Sequence, residues 1–111
     1  MGQDQQAEVA QLYAHFCKGL ANPNRFLIVC ALAEHGMNVR AIATTTGLSQ
    51  SNTSHNLKIL RDQGIVCAER IGQSVFYTLA DIRIVQTIDL LYAMMTDQLD
   101  HKSSLKFNKM S

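Results

Sequence analysis

No apolar run in this sequence is long enough to span a membrane, and its opening stretch, MGQDQQAEVA, is polar. A membrane-spanning helix needs about 20 mostly apolar residues, so neither a span nor a secretory signal is visible, and the expected compartment is the cytoplasm. Net charge is nearly missing too, at +1. Bulk charge therefore neither demands nor excludes a nucleic-acid partner, and any basic footprint has to be local. The three cysteines, Cys17, Cys30 and Cys67, lie far apart, with no CxxC pair and an odd total. That is not a disulfide framework. Histidines are scattered at His15, His35, His55 and His101, and there is no phosphate loop, nucleophile elbow or HExxH motif. The chain reads as a non-enzyme with no cofactor. Internal repeats and low-complexity segments are absent as well.

What is present is ordinary globular composition, 47% apolar and 17% charged over 111 residues. That length makes one domain with a modest core, marginal if it must bury all its apolar surface alone. The domain is expected over residues 1–100, followed by a loose polar tail, 101–111.

Helical periodicity opens the chain. Val9, Leu12, Tyr13, Phe16 and Leu20 carry the i, i+3, i+4, i+7 spacing of an amphipathic helix over residues 5–20, with Cys17 on or beside the stripe. Asn22 before Pro23 marks a second start, because asparagine caps and proline's fixed φ suits the first helical position. That second helix, apolar nearly all round (Phe26, Leu27, Val29, Cys30, Leu32, Ala33), is expected to run to about His35, to stop at Gly36 and to sit at the centre of the core. Asn38 caps a short third helix, Val39 to Thr46, with Val39, Ile42 and Ala43 inward and Gly47 ending it.

The stretch from Gly47 to Leu60, GLSQSNTSHNLKIL, then reads as a helix capped by Ser49, with a polar first half and the late apolar pair Leu57 and Leu60. Two short helices joined by a tight glycine-containing turn match the helix-turn-helix pattern. Amides and hydroxyls on the second helix suit hydrogen bonding to base edges and phosphates.

After Gly64 the texture changes. Residues 65–70 and 74–79 are rich in β-branched, aromatic or apolar side chains, with Ile71-Gly72-Gln73 between them, which predicts a β-hairpin, a wing. Asp81 caps a last helix with the stripe Ile84, Val85, Ile88, Leu91, Tyr92 and Met95, reaching about Leu99. Its apolar surface is wide for a terminal helix, so it calls for a partner, either the first helix or a second subunit. The order gives an α+β, mostly helical winged helix-turn-helix.

Three segments, LANPNRFLIVCAL at 20–32, GLSQSNTSHNLKILRDQGIV at 47–66 and ERIGQSVFYTLAD at 69–81, together resemble the ArsR/SmtB family of winged-helix bacterial repressors. The spacing agrees without gaps from Leu20 to Asp81. The resemblance implies a homodimer, joined through its first and last helices, that binds double-stranded operator DNA of imperfect dyad symmetry and releases it on meeting a small effector or oxidant. On the reading helix it implies DNA contacts by Gln50, Ser51, Ser54, His55 and Asn56, where the family pattern has glutamine then histidine in place of His55 and Asn56. Lys58, Arg61 and Arg70 are phosphate candidates, with Gln73 and Ser74 at the wing tip. The other reading is a winged helix used only for protein contacts.

For the trigger, the phrase Leu27-Ile28-Val29-Cys30-Ala31-Leu32 resembles the thiol-based branch that includes HlyU, BigR and SqrR. That branch places a second cysteine after a leucine-tyrosine pair in the last helix. Leu91-Tyr92 is present here, but Thr96 stands at the matching position. Cys30 is therefore the redox-sensing candidate, with Cys17 as a second thiol if their helices pack closely, and Cys67 is expected to be structural. A metal- or arsenic-responsive repressor is the alternative. The family's cysteine-x-cysteine site falls on Arg40 and Ile42, and in its last-helix site Asp81 matches while Arg83 and Met94 replace histidines and Asp97 replaces a glutamate. Zinc prefers nitrogen and sulfur donors, which leaves Asp81, Asp97 and His101 as weak metal candidates.

Overall fold

The computed structural model describes the backbone of residues 2–110 and the side chains of residues 2–102. The elements follow in the order α1 (Gln3–Leu20), α2 (Pro23–Glu34), α3 (Val39–Thr46), α4 (Gln50–Asp62), β1 (Val66–Ile71), β2 (Ser74–Leu79) and α5 (Ile82–Met110). The expected winged helix-turn-helix order is present, with two antiparallel strands as the wing.

Local chemistry explains most of the boundaries. The Asn22 side chain accepts hydrogen bonds from the backbone N–H of Asn24 (2.9 Å) and Arg25 (3.3 Å), with Pro23 at the first position of α2. Asn38 accepts from Ala41 N–H at 2.9 Å, and Ser49 from Asn52 N–H at 3.0 Å, which starts α3 and α4. Gly47 ends α3 in the left-handed region (φ 78), its N–H donating to Ala43 O at 2.9 Å.

Three expectations need correcting. First, α2 ends at Glu34, and His35 is already extended, so Gly36 is not its stop. Gly36 instead lets the chain pass flush beneath the wing. A Cβ there would meet Thr78 Cγ2 at 2.8 Å, Tyr77 O at 3.0 Å and the Phe76 ring. Met37 next to it exchanges both backbone hydrogen bonds with Tyr77, at 3.0 and 2.8 Å, adding a bridge to the hairpin.

Second, the hairpin is tighter than expected. β1 begins at Val66 and pairs through Ile71 with Ser74, leaving only Gly72 and Gln73 in the turn. Gly72 has φ 62 and no non-glycine residue among the described residues has positive φ, the pattern of a type II′ turn that matches strand twist.

Third, α5 does not stop near Leu99 but runs as helix to Met110. No glycine or proline follows Gly72 in the sequence, so nothing punctuates the helix at His101. Ser111, the last residue of the expected tail, lies outside the described residues.

The stripe of α1 is covered only toward its C-terminal end. Phe16 and Leu20 pack against the core, while Val9, Leu12 and Tyr13 are exposed.

The core lies where α2, α3, α4 and the start of β1 meet, with Ile28, Val29, Ile42, Leu57, Leu60, Ile65 and Ile88 fully buried. Ile88 is the buried anchor of α5, with Ile84 and Leu91 half-buried beside it. At the other end, Gly19 of α1 lies against the Gln63 side chain and Ile65, so a Cβ there would collide with Gln63. No helix among the described residues is long and apolar enough to cross a membrane.

The Gly36 contact makes a stability prediction. Gly36→Ala should cost about 1–3 kcal/mol in denaturant unfolding, because backbone and packed side chains surround the added methyl. Gly64→Ala, with open space around it and only a φ of 73 to resist it, should cost less, about 1 kcal/mol. Equal losses would show that Gly36 is not a packing point.

Candidate nucleic-acid interface

Helix α4 divides cleanly by burial. Thr53, Asn56, Leu57 and Leu60 face inward at i, i+3, i+4, i+7. The rotation this imposes leaves Gln50, Ser51, Ser54, His55, Lys58 and Arg61 exposed on the opposite side. Thr53 carries a hydroxyl into the core at no cost, since its Oγ1 donates to Ser49 O at 2.8 Å.

The exposed surface of α4 has two flanks. Ser54, Lys58 and Arg61 line a groove of about 410 Å3 facing Tyr77 of the wing, with Asp62 at its end. Ser51 and His55 border a cleft of about 550 Å3 on the other side, against the start of α2. Arg70 is exposed on β1 opposite Val75, and Gln73 and Ser74 form the exposed hairpin tip. Hydroxyls, an imidazole and five cationic or amide groups thus share the solvent side of one short helix and its wing. Such groups bond readily to base edges and phosphate oxygens.

Asn56 does not belong to that set. It is 5% exposed, its Nδ2 donates to Asn52 O (3.0 Å) and Asn52 Oδ1 (2.6 Å), and its Oδ1 accepts from an Arg25 N–H at 3.3 Å. Arg25 also donates through Nε to Gly19 O at 2.6 Å. A polar chain thus runs from the end of α1 through Arg25 and Asn56 to Asn52, and it fixes how α4 is turned. Reading the sequence missed Arg25, whose signal was a lone cation in the first turn of an otherwise apolar helix.

Cys30 is half-buried on α2 and lines a cavity of about 300 Å3 between α2, α3 and α5, with Leu27, Glu34, Thr45, Asp89 and Tyr92 among its walls. Burial pushes the Cys30 thiol pKa up, and the nearby Asp89 carboxylate adds to the effect. Both causes disfavour the thiolate, so the environment does not activate this cysteine. Cys17 is half-buried on α1 beside Tyr13, whose phenol is raised by its hydrogen bond to Cys17 and by that thiol's charge. All three cysteines are free. Cys67, expected to be structural, is exposed on β1 opposite Thr78, because alternate residues of this strand face solvent. Thr96, at the place of the second thiol, donates its hydroxyl to Ala93 O at 2.9 Å.

The weak metal candidates do not converge within one chain. Asp81 accepts from Arg83 N–H at 2.8 Å, and the Arg83 guanidinium grips both its oxygens, at 3.0 and 2.6 Å. That pairing pulls the Asp81 carboxyl down to about 2. Asp97 and His101 neighbour each other farther along α5, roughly 24 and 30 Å from Asp81 at about 1.5 Å of rise per residue. Among the described residues no three histidine, cysteine, aspartate or glutamate side chains are grouped to hold a metal ion.

Comparison with known proteins agrees with this geometry. Residues 22–67 match the family described as bacterial regulatory protein, arsR family. A transcriptional repressor SmtB homolog from Synechocystis is 38% identical over 81% of this chain, which spans 65% of that relative's length. Among solved structures, a homodimeric winged helix-turn-helix DNA-binding domain from Mycobacterium bovis, a possible ArsR-family regulator, superposes with a TM-score of 0.78 at 32% identity, covering 90% of this chain and 93% of that one. The transcriptional repressor BigR from Xylella fastidiosa superposes with a TM-score of 0.74 at 30% identity, over 85% of this chain and 96% of its own. The order of elements, the divided face of α4 and these likenesses together make this chain a member of the arsR family of bacterial regulatory proteins.

Proposed function

We propose that the protein is a homodimeric transcriptional repressor that binds double-stranded operator DNA of dyad symmetry in the cytoplasm and acts by binding, not catalysis. The observation that carries this reading is the exposed set on α4, held outward by burial of the opposite side. Gln50, Ser51, Ser54 and His55 read base edges in the major groove, while Lys58, Arg61 and the wing residues Arg70, Gln73 and Ser74 hold the backbone. Two such heads, related by a twofold axis, reach successive major grooves about one helical turn apart.

The dimer has a natural seat. Val9, Leu12 and Tyr13 on α1 and Leu90, Tyr92, Met94, Met95 and Leu99 on α5 are exposed large apolar side chains. Singly such residues need no explanation, but two helices carrying them do. The related M. bovis domain is described as homodimeric, which supports the same pairing.

For release, Cys30 is the thiol we assign to sensing, with Cys17 as an auxiliary thiol. The support is position: the Cys30 cavity is walled by both α3, which packs against the reading helix α4, and α5, which carries part of the dimer seat. An agent acting there differs in affinity between two arrangements of those helices, which is what derepression requires.

Three measurements test these assignments. Changing Ser54 and His55 together to alanine should cost roughly tenfold or more in operator affinity by fluorescence anisotropy and leave binding to unrelated duplex nearly unchanged; undiminished operator preference would remove the assigned face. Leu12→Glu with Leu99→Glu should shift the sedimenting species from dimer to monomer, and an intact dimer would move the interface elsewhere. Cys30 should alkylate slowly at neutral pH, with its rate rising at a pH above the ~8.5 of a free cysteine. Rapid alkylation of Cys30 at pH 7 would contradict the protonated thiol.

A further inference from the structure

We propose that the cleft between α2 and α4 is a binding site for a backbone phosphodiester of the DNA, with the Arg25 guanidinium as its principal ligand. This rests on the DNA-binding reading above and adds a contact on the flank of α4 away from the wing.

The cleft adjoins the reading face directly. Ser51 and His55 form its rim, and Asn24, Arg25, Asn52 and Asn56 form its wall. No acidic side chain lines it. Arg25 is half-buried, and among the described residues it has no carboxylate partner; the ion pair they form is Arg83 with Asp81. A cation that has lost part of its water without gaining an anion is in an unfavourable position unless a ligand supplies one.

The hydrogen bonds of Arg25 show how it is prepared. Nε donates to Gly19 O at 2.6 Å and one N–H of the fork to Asn56 Oδ1 at 3.3 Å. A guanidinium has five N–H donors, so about three remain after these two are used. The anchored side has fixed the plane, and the remaining donors belong to a fork whose geometry matches phosphate oxygens. Asn52 is in a comparable state. Its Oδ1 accepts from Asn56, and its own amide N–H group has no partner among the described residues. The starts of α2 and α4 both border the cleft, and their partial positive charge adds to that of Arg25.

Geometry selects the source of the anion. A helix lying in the major groove has phosphate backbones along both its flanks. Lys58 and Arg61 meet one strand on the wing side, and Arg25 meets the other. Because Arg25 is bonded to Asn56 and Asn56 to Asn52, a phosphate seated on Arg25 sets the rotation of α4 over the bases. Phosphate contact and reading register are thereby linked through two side chains.

The test combines salt dependence with a direct observation. Arg25→Gln should lower affinity for operator and for unrelated duplex alike, roughly tenfold, and flatten the dependence of log affinity on log salt by about 0.9 per protomer. Arg25→Lys keeps the charge without the fork and should restore the slope, which a purely structural role would not do. An unchanged slope in Arg25→Gln, or a loss confined to one sequence, overturns the proposal while leaving DNA binding standing. Absence of any salt-sensitive duplex binding by the unaltered protein would instead remove the reading it rests on. Should Arg25→Gln unfold, the unaltered protein decides. The Arg25 Nε–H resonance should shift on adding duplex at low salt and stay put with inorganic phosphate at equal ionic strength. A response to phosphate with none to duplex overturns the assignment to DNA.

Discussion

Burial of the inner side of one twelve-residue helix, α2, is the constraint on which this fold depends. Ile28 and Val29 of α2 are completely enclosed, Ala31 and Leu32 nearly so, and Phe26, Cys30 and Ala33 pack at the margins. Each fully buried aliphatic side chain is worth about 1.5–3 kcal/mol, so α2 alone accounts for a large share of the core's driving force. The remaining elements are arranged as its cover: α3 and α4 on one side, α5 on another, and the wing closing the end at Met37. Residues that would disturb this packing are absent from its interior. The one cation on α2, Arg25, sits in the first turn, where it reaches the end of α1 and the side of α4 instead of the core.

The attachment of α4 separates strength from orientation. Leu57 and Leu60 are buried to 1% and 0% exposure and hold the helix down. Leucines alone tolerate small rotations, because the hydrophobic effect has no direction. Thr53 and Asn56 share the same inward face, and their hydrogen bonds do have direction. A typical internal hydrogen bond contributes about 1 kcal/mol net, less than one leucine, but an unmade one in the interior costs more than it would contribute. The polar pair therefore adds little to stability and much to the angle at which α4 presents Ser54 and His55.

How much of this could be read from the sequence depended on whether a feature was local. The caps Asn22, Asn38 and Ser49 and the left-handed Gly47 were legible, because each acts on backbone groups within four residues. The split of α4 was largely legible from its apolar pair. Asn56 was misplaced because its amide suits base contacts, although helical spacing sets it beside Leu57 and Leu60; its bond to Arg25, thirty-one positions away, shows what the inward amide does. Gly36 carried the right residue type for a helix stop, yet its reason is the wing passing overhead, a contact no local pattern encodes. The tail read as loose from its polarity, whereas helix continuation is governed by the absence of glycine and proline after Gly72.

The same distinction between attachment and direction bears on how such a protein changes state. Helix α5 is joined to the rest by one fully buried side chain, Ile88, with half-buried Ile84 and Leu91 on either side. One isoleucine fixes a point of contact but resists rotation about that point weakly. Beside it lies the cavity of about 300 Å3 at Cys30, bounded by α2, α3 and α5. A group seated there touches all three helices at once, so it favours whichever arrangement of them it fits best. Of those walls α2 is the least free to move, being enclosed by the core, so displacement falls on α5 relative to α3. In the dimer proposed above, joined through α1 and α5, a small rotation at Ile88 would be magnified along the helix into a change in the separation of the two heads. The spacing of the heads in that dimer would then depend on an attachment made by one fully buried side chain.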